Sequence, residues 1–167
     1  MGVEVSLFQV SLSQLKKIKC DFNLIDKWFF PDEGVDSDYN EEHSFYLGRS
    51  FHGLHFMLSR TYEPKPDGSL KDFFVFGKHK LCFEKEIGAD CAYLLPQEVK
   101  DLLKMLCNVK RSRLSLKFNP DEMNRIKIYP GRWCLSDFDV LYELFLQLRK
   151  YYRDAAARDN AVINIVY

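Results

Sequence analysis

Apolar and polar positions alternate at the start of the chain. Val3, Val5 and Leu7 are separated by Glu4 and Ser6, and this period of two predicts a first strand running to about Val10. Ser11-Leu12-Ser13-Gln14 then has the form of a capping box, with Leu12, Leu15 and Ile18 as one stripe of a short helix. Leu24, Ile25, Trp28, Phe29 and Phe30 have helical spacing and stop before Pro31. An acidic, turn-rich stretch over 31–42 leads into a predicted helix over 42–58, and 60–71 reads as a loop. Phe73–Phe76 and Lys80–Phe83 are expected to be two strands broken at Gly77. Pro96 opens a helix with Val99, Leu102, Leu103 and Leu106 on one face, and Lys110, Arg111 and Arg113 follow it. Leu114, Leu116 and Phe118 alternate with Ser115 and Lys117 as a strand would. Asn119-Pro120-Asp121-Glu122 caps a short helix, and Tyr129-Pro130-Gly131 is a turn. Ser136–Asp139 begins the longest helix, with Leu141, Phe145, Leu148, Tyr152 and Ala155 inward. Ala161–Tyr167 closes the chain as an apolar strand.

Strands at both ends, helices between them and a β pair in the middle predict an α+β fold: a mixed or antiparallel sheet packed against several helices. At 167 residues the chain reads as a single domain over 1–167. A domain of that length buries roughly 70% of the surface of its unfolded chain and needs no staples. Twenty-four basic and 24 acidic residues cancel, so no overall field steers the chain to nucleic acid or to an anionic membrane. The five cysteines, Cys20, Cys82, Cys91, Cys107 and Cys134, are irregularly spaced and read as free thiols in a reducing cytoplasm, several of them buried. Residues 1–5 show neither a signal peptide nor a membrane span, and Gly2 makes only a weak match to an acylation start. The acidic run over 31–42 lacks the order of a calcium loop and reads as solvated. The basic and aromatic residues over 149–153 read as the cationic end of a helix.

The most informative stretch is His52-Gly53-Leu54-His55-Phe56. On a helix the two imidazoles would stand roughly 60° apart on one flank and aim at a common pocket. Gly48 and Gly53 would let a neighbouring element approach closely. The pair is open to two readings: core histidines bonded to backbone carbonyls or a Tyr, or hydrogen-bonding, acid/base or ligand groups of a site. A metal centre is not expected. Zinc wants three or four ligands at other spacings, and only His79 or Cys82 stands by as a third. Arg132 in Tyr129-Pro130-Gly131-Arg132-Trp133 suggests a clamp on an anion beside a stacking Trp133, or else a packed turn.

The opening Met1-Gly2 with Phe8-Gln9-Val10-Ser11, the His52–Phe56 core, Tyr93-Leu94-Leu95-Pro96-Gln97-Glu98-Val99 and Phe118–Asn124 with Ile128-Tyr129-Pro130 and Trp133 together resemble the YfbM-like bacterial proteins of unknown function. The resemblance spans nearly the whole chain. It implies one cytoplasmic α+β domain and no established activity. It also carries His52, His55, Tyr129 and Trp133 over as candidate site residues. Phe51 stands where the family pattern has tryptophan, and Ala92 where it has arginine.

The expected function is therefore a non-catalytic protein-binding module, an immunity-type toxin neutraliser being one version. The alternative is a small-molecule site or enzyme built on His52 and His55 in a buried pocket, with Tyr129, Arg132 and Trp133. No cofactor, metal, membrane or nucleic-acid partner is expected, and the oligomeric state is left open.

Overall fold

The computed structural model describes residues 2–65, 67–82 and 89–167, the Cys82 side chain excepted. Phe83 and Pro66, placed by the pattern in a strand and a loop, lie outside them.

Five strands form one antiparallel sheet in the order β2-β1-β5-β4-β3. They are β1 (Val5–Val10), β2 (Ser44–Gly48), β3 (His79–Cys82), β4 (Asp90–Leu94) and β5 (Ala161–Val166). The first and last strands pair over their full length, from Val5 opposite Val166 to Val10 opposite Ala161. Among the described residues there are seven α-helices. Two of them, α1 (Leu12–Cys20) and α2 (Asn23–Phe29), cover one face. The other face carries α3 (Phe51–Ser59), α4 (Pro96–Cys107), α5 (Arg111–Lys117), α6 (Pro120–Arg125) and α7 (Asp137–Ala157). The α+β expectation holds. Because both faces are covered, all six residues of β1 are buried, including Ser6 and Gln9, and so are Ala161–Ile165 of β5. The core is double. Leu7 and Val162 join α3, α4 and α7 on one side; Phe8, Val10, Ile163 and Ile165 join α1 and α2 on the other.

Local signals set the starts of α1 and α6. Ser11 Oγ accepts from Gln14 N–H while Gln14 Oε1 accepts from Ser11 N–H, which closes the predicted capping box. Asn119 Oδ1 accepts from Glu122 N–H at the start of α6. The predicted inward stripe of α7 is buried throughout. On α1, Leu15 and Ile18 are buried but Leu12 is 47% exposed.

Five expectations are corrected. The segment 42–58 is not one helix. Ser44–Gly48 pairs with β1, and the helix begins only at Phe51. Gly48 ends the strand with φ +56, a conformation that a right-handed helix excludes. Phe73–Phe76 is a turn, closed by Gly77 N–H to Phe73 O, and not a strand. Its carbonyls meet the core instead: Tyr152 Oη donates to Phe74 O and Asn164 Nδ2 donates to Val75 O. Residues 114–117 belong to α5 and Phe118 is its C-cap; Leu114 is buried and Leu116 is 88% exposed, so the alternation there is a coincidence of a short helix. The partner of β3 is β4, which the pattern left unassigned. Of the four cysteines whose side chains are described, only Cys91 is buried.

Candidate functional site

Both histidines lie on α3 beneath the segment that follows it. His52 is 5% exposed and His55 0%. His52 Nε2–H donates to Tyr62 O at 2.7 Å, and its Nδ1 accepts from Tyr129 N–H at 3.1 Å. These partners fix a neutral ring with the proton on Nε2. Burial lowers its pKa, against weaker opposing pulls from the Tyr62 carbonyl and Glu63.

His55 is held in the same tautomer by elimination. The Ser59 hydroxyl donates to His55 O, and the Thr61 hydroxyl donates to Ser59 Oγ, so both hydroxyl protons are engaged. Only Nε2–H remains to donate to Ser59 Oγ at 3.1 Å and Thr61 Oγ1 at 3.2 Å. Its Nδ1 is buried without a partner. Burial first, and then the neighbouring His52, push the His55 pKa down to about 4, with a smaller opposing pull from the Glu63 backbone. The common neighbour of the two rings is thus the 59–62 segment, and Phe51, Phe74 and Phe76 pack around them.

Trp133 closes α3 from another side. Its Nε1–H donates to Ile128 O, and Asn124 brackets its backbone with two hydrogen bonds of 2.8 Å. A β-carbon on Gly53 would sit 2.7 Å from Trp133 Cζ2, so the glycine is what lets the indole lie against the helix. Tyr129 is half-buried, and its hydroxyl accepts from Val3 N–H. Arg132 is apart from the two histidines and from the Trp133 ring. It is exposed, and it lines an open depression with Tyr129, Pro130 and Gly131 while Trp133 faces inward. The structure brings four of the five predicted residues together and leaves the guanidinium outside. Among the described residues no three His, Cys, Asp or Glu side chains group as metal ligands, and no helix is long and apolar enough to cross a membrane.

A second region is open. Leu24, Trp28, Phe30, Pro31 and Val35 form the apolar wall of a cleft of about 540 Å³ beside α2. Asp26, Asp32, Asp36 and Asp38 line it, with Lys27 as the one cation. None of these four carboxylates makes an ion pair among the described residues. The cleft exists because the chain turns back on itself: Ser37 Oγ donates to Trp28 O, and Tyr39 is buried against Phe8 and Phe29 with its hydroxyl on His43 O. By residue pattern alone this stretch reads as a solvated acidic run. The available signal was the pair of large aromatics, Trp28 and Phe30, immediately before it.

A family model described as a domain of unknown function, DUF1877, matches residues 1–165. The fold is similar to the crystal structure of YfbM from Escherichia coli, itself a protein of unknown function. The TM-score is 0.76 at 16% identity, over 98% of this chain and 99% of that one. No curated protein matches the chain.

Proposed function

The chain belongs to the DUF1877 family, whose description names no activity, and from its own geometry we propose that it is a protein-binding module that docks a cationic partner in the aspartate-lined cleft beside α2. The observation that carries this reading is the juxtaposition in that cleft. Four carboxylates without an ion pair among the described residues surround an apolar wall that includes Phe30, 40% exposed, and Val35, 58% exposed. An apolar anchor flanked by Lys or Arg would bury its body against Trp28 and Val35 and place its charges on the aspartates. An immunity-type role is the concrete form: a toxin that handles phosphate esters carries a cationic surface, and a row of carboxylates matches it. The rival site on His52 and His55 has less support, since three of the four ring nitrogens already hold structural bonds.

Trp28 reports on the cleft, and the other tryptophan, Trp133, is buried elsewhere. Titration with a short lysine–leucine peptide is expected to change Trp28 fluorescence with a strong salt dependence, while a glutamate–leucine peptide does not. The variant Asp32→Asn/Asp36→Asn/Asp38→Asn should bind the cationic peptide at least about tenfold more weakly. Equal binding by the triple variant, or no response in the wild type, overturns the proposal.

A further inference from the structure

On the opposite face of the sheet, cations converge on a second cleft. It has a volume of about 180 Å³, below the roughly 300–1,000 Å³ of sites for drug-sized ligands. Leu58, Leu106 and Leu114 are among its apolar lining, from α3, α4 and α5. Lys71, Arg113 and Lys117 supply the charge, and they arrive from different directions. Lys71 belongs to the 3-10 turn Leu70–Asp72, and the other two stand one helical turn apart on α5.

No salt bridge among the described residues neutralises the three cations. Among the described residues neither Lys71 nor Arg113 has an ion-pair or side-chain hydrogen-bond partner, and the Lys117 ammonium donates only to the neutral Leu58 carbonyl, at 2.9 Å. The nearby acids are otherwise placed. Glu122 is bound to Arg60, whose other guanidinium nitrogen donates to Lys117 O. Asp72 is buried and offsets the cluster only in part. The crowding is felt at Lys117, whose pKa is lowered by burial first and then by Lys71, Arg113 and Arg60. Neutral composition makes such a local excess of positive charge more telling, since the chain as a whole has none.

We propose that this cleft between α3, α4 and α5 binds a small phosphomonoester, with its phosphoryl oxygens on Lys71, Arg113 and Lys117 and an apolar body against Leu58, Leu106 and Leu114. A guanidinium fork and two ammonium groups match a dianion better than a monoanion. The leucines give no reason for a bare ion to be preferred over one carrying a hydrocarbon group. The site lies across the sheet from the aspartate cleft, so its fate is independent of the proposed docking there.

Isothermal titration of the full chain with phenyl phosphate tests this, with inorganic phosphate, benzoate and phenol as comparisons. Phenyl phosphate should bind saturably. Inorganic phosphate and benzoate should bind about tenfold more weakly, and phenol should give no heat. Lys71→Gln and Arg113→Gln should each weaken phenyl phosphate by about tenfold. Among the described residues neither side chain bonds to another, so these variants keep the fold even if Lys117→Gln, which removes the bond to Leu58 O, does not. No saturable binding at millimolar phenyl phosphate overturns the site. Affinity unchanged in both variants overturns the assignment to this cleft. Inorganic phosphate or benzoate binding as tightly as phenyl phosphate overturns the ligand class.

Discussion

The two flanks of the sheet treat their ionisable groups in opposite ways. Over α3, His52 and His55 are buried and neutral, and they are locked to one tautomer by Tyr62, Tyr129, Ser59 and Thr61. Beside α2, four aspartates stand around an open apolar wall, and no cation among the described residues is paired to them. In the first region polar chemistry has been converted into structure; in the second it faces outward. The comparison shows why a pair of histidines in a core is a poor guide to a site when backbone carbonyls and hydroxyls lie within reach. A buried polar group with its partners present is held in place, whereas an exposed charge without one is available to something else.

The largest effect that would test this contrast is a pH dependence of stability. His55 has a folded pKa of about 4 against 6.5 for the free side chain. Between those values the unfolded chain binds more protons, so stability is full above about pH 6.5 and falls as pH drops toward 4. The loss from His55 is on the order of 3 kcal/mol, and His52, shifted in the same direction, adds to it. Urea unfolding followed from pH 7 to pH 4 should show the decline. His55→Leu should flatten part of it, because the titrating group is gone. A wild-type curve that does not change over this range would mean that the rings are not sealed.

The next effect in size is steric. Gly53→Ala places a methyl against Trp133, whose ring is held by Ile128 O and whose backbone is held by Asn124. Neither the helix nor the indole can yield cheaply, so a loss of about 2 kcal/mol is expected in chemical denaturation. Gly34→Ala carries no such clash, since nothing lies within 4 Å of that position, although its φ of +83 still disfavours a side chain. A Gly53→Ala variant as stable as wild type would show that Trp133 does not close this region.

How far the pattern of residues revealed these regions depended on whether local signals or tertiary cover set the outcome. The capping box at Ser11, the cap at Asn119 and the inward stripe of α7 are local, and each forms as the residues dictate. Burial on all sides erases periodicity elsewhere, and the pattern there misleads. Phe73–Phe76 looks like a strand because it is apolar throughout, yet its carbonyls are satisfied by Tyr152 and Asn164, which come from far along the chain. The helix over 42–58 failed for a different reason. Apolar residues of β2 and α3 run together, and only Gly48, with its positive φ, marks the break. The histidine pair was visible as a pair, but its bonding partners at Tyr62 and Tyr129 were not, since one of them lies 77 positions away. The aspartate cleft was half visible. The acids were plain, but the fold of 31–39 back onto Trp28 is what turns them into a lined surface.

The smallest expected effect concerns that surface. If the aspartates are functional and not structural, removing their charge should cost the fold almost nothing. Asp32→Asn/Asp36→Asn/Asp38→Asn is expected to unfold within about 0.5 kcal/mol of wild type, in the range of ordinary surface substitutions. Its salt dependence is the finer measure. Like charges around one cleft repel, and added salt screens them over roughly 10 Å at 0.1 M. Wild-type stability should therefore rise slightly from low to moderate salt, and the triple variant should respond less. A loss well above 1 kcal/mol in the variant would place the aspartates on the structural side of the comparison, with the histidines. It would also remove the reason for assigning a partner to the cleft, because carboxylates that hold the loop together are not free to hold anything else.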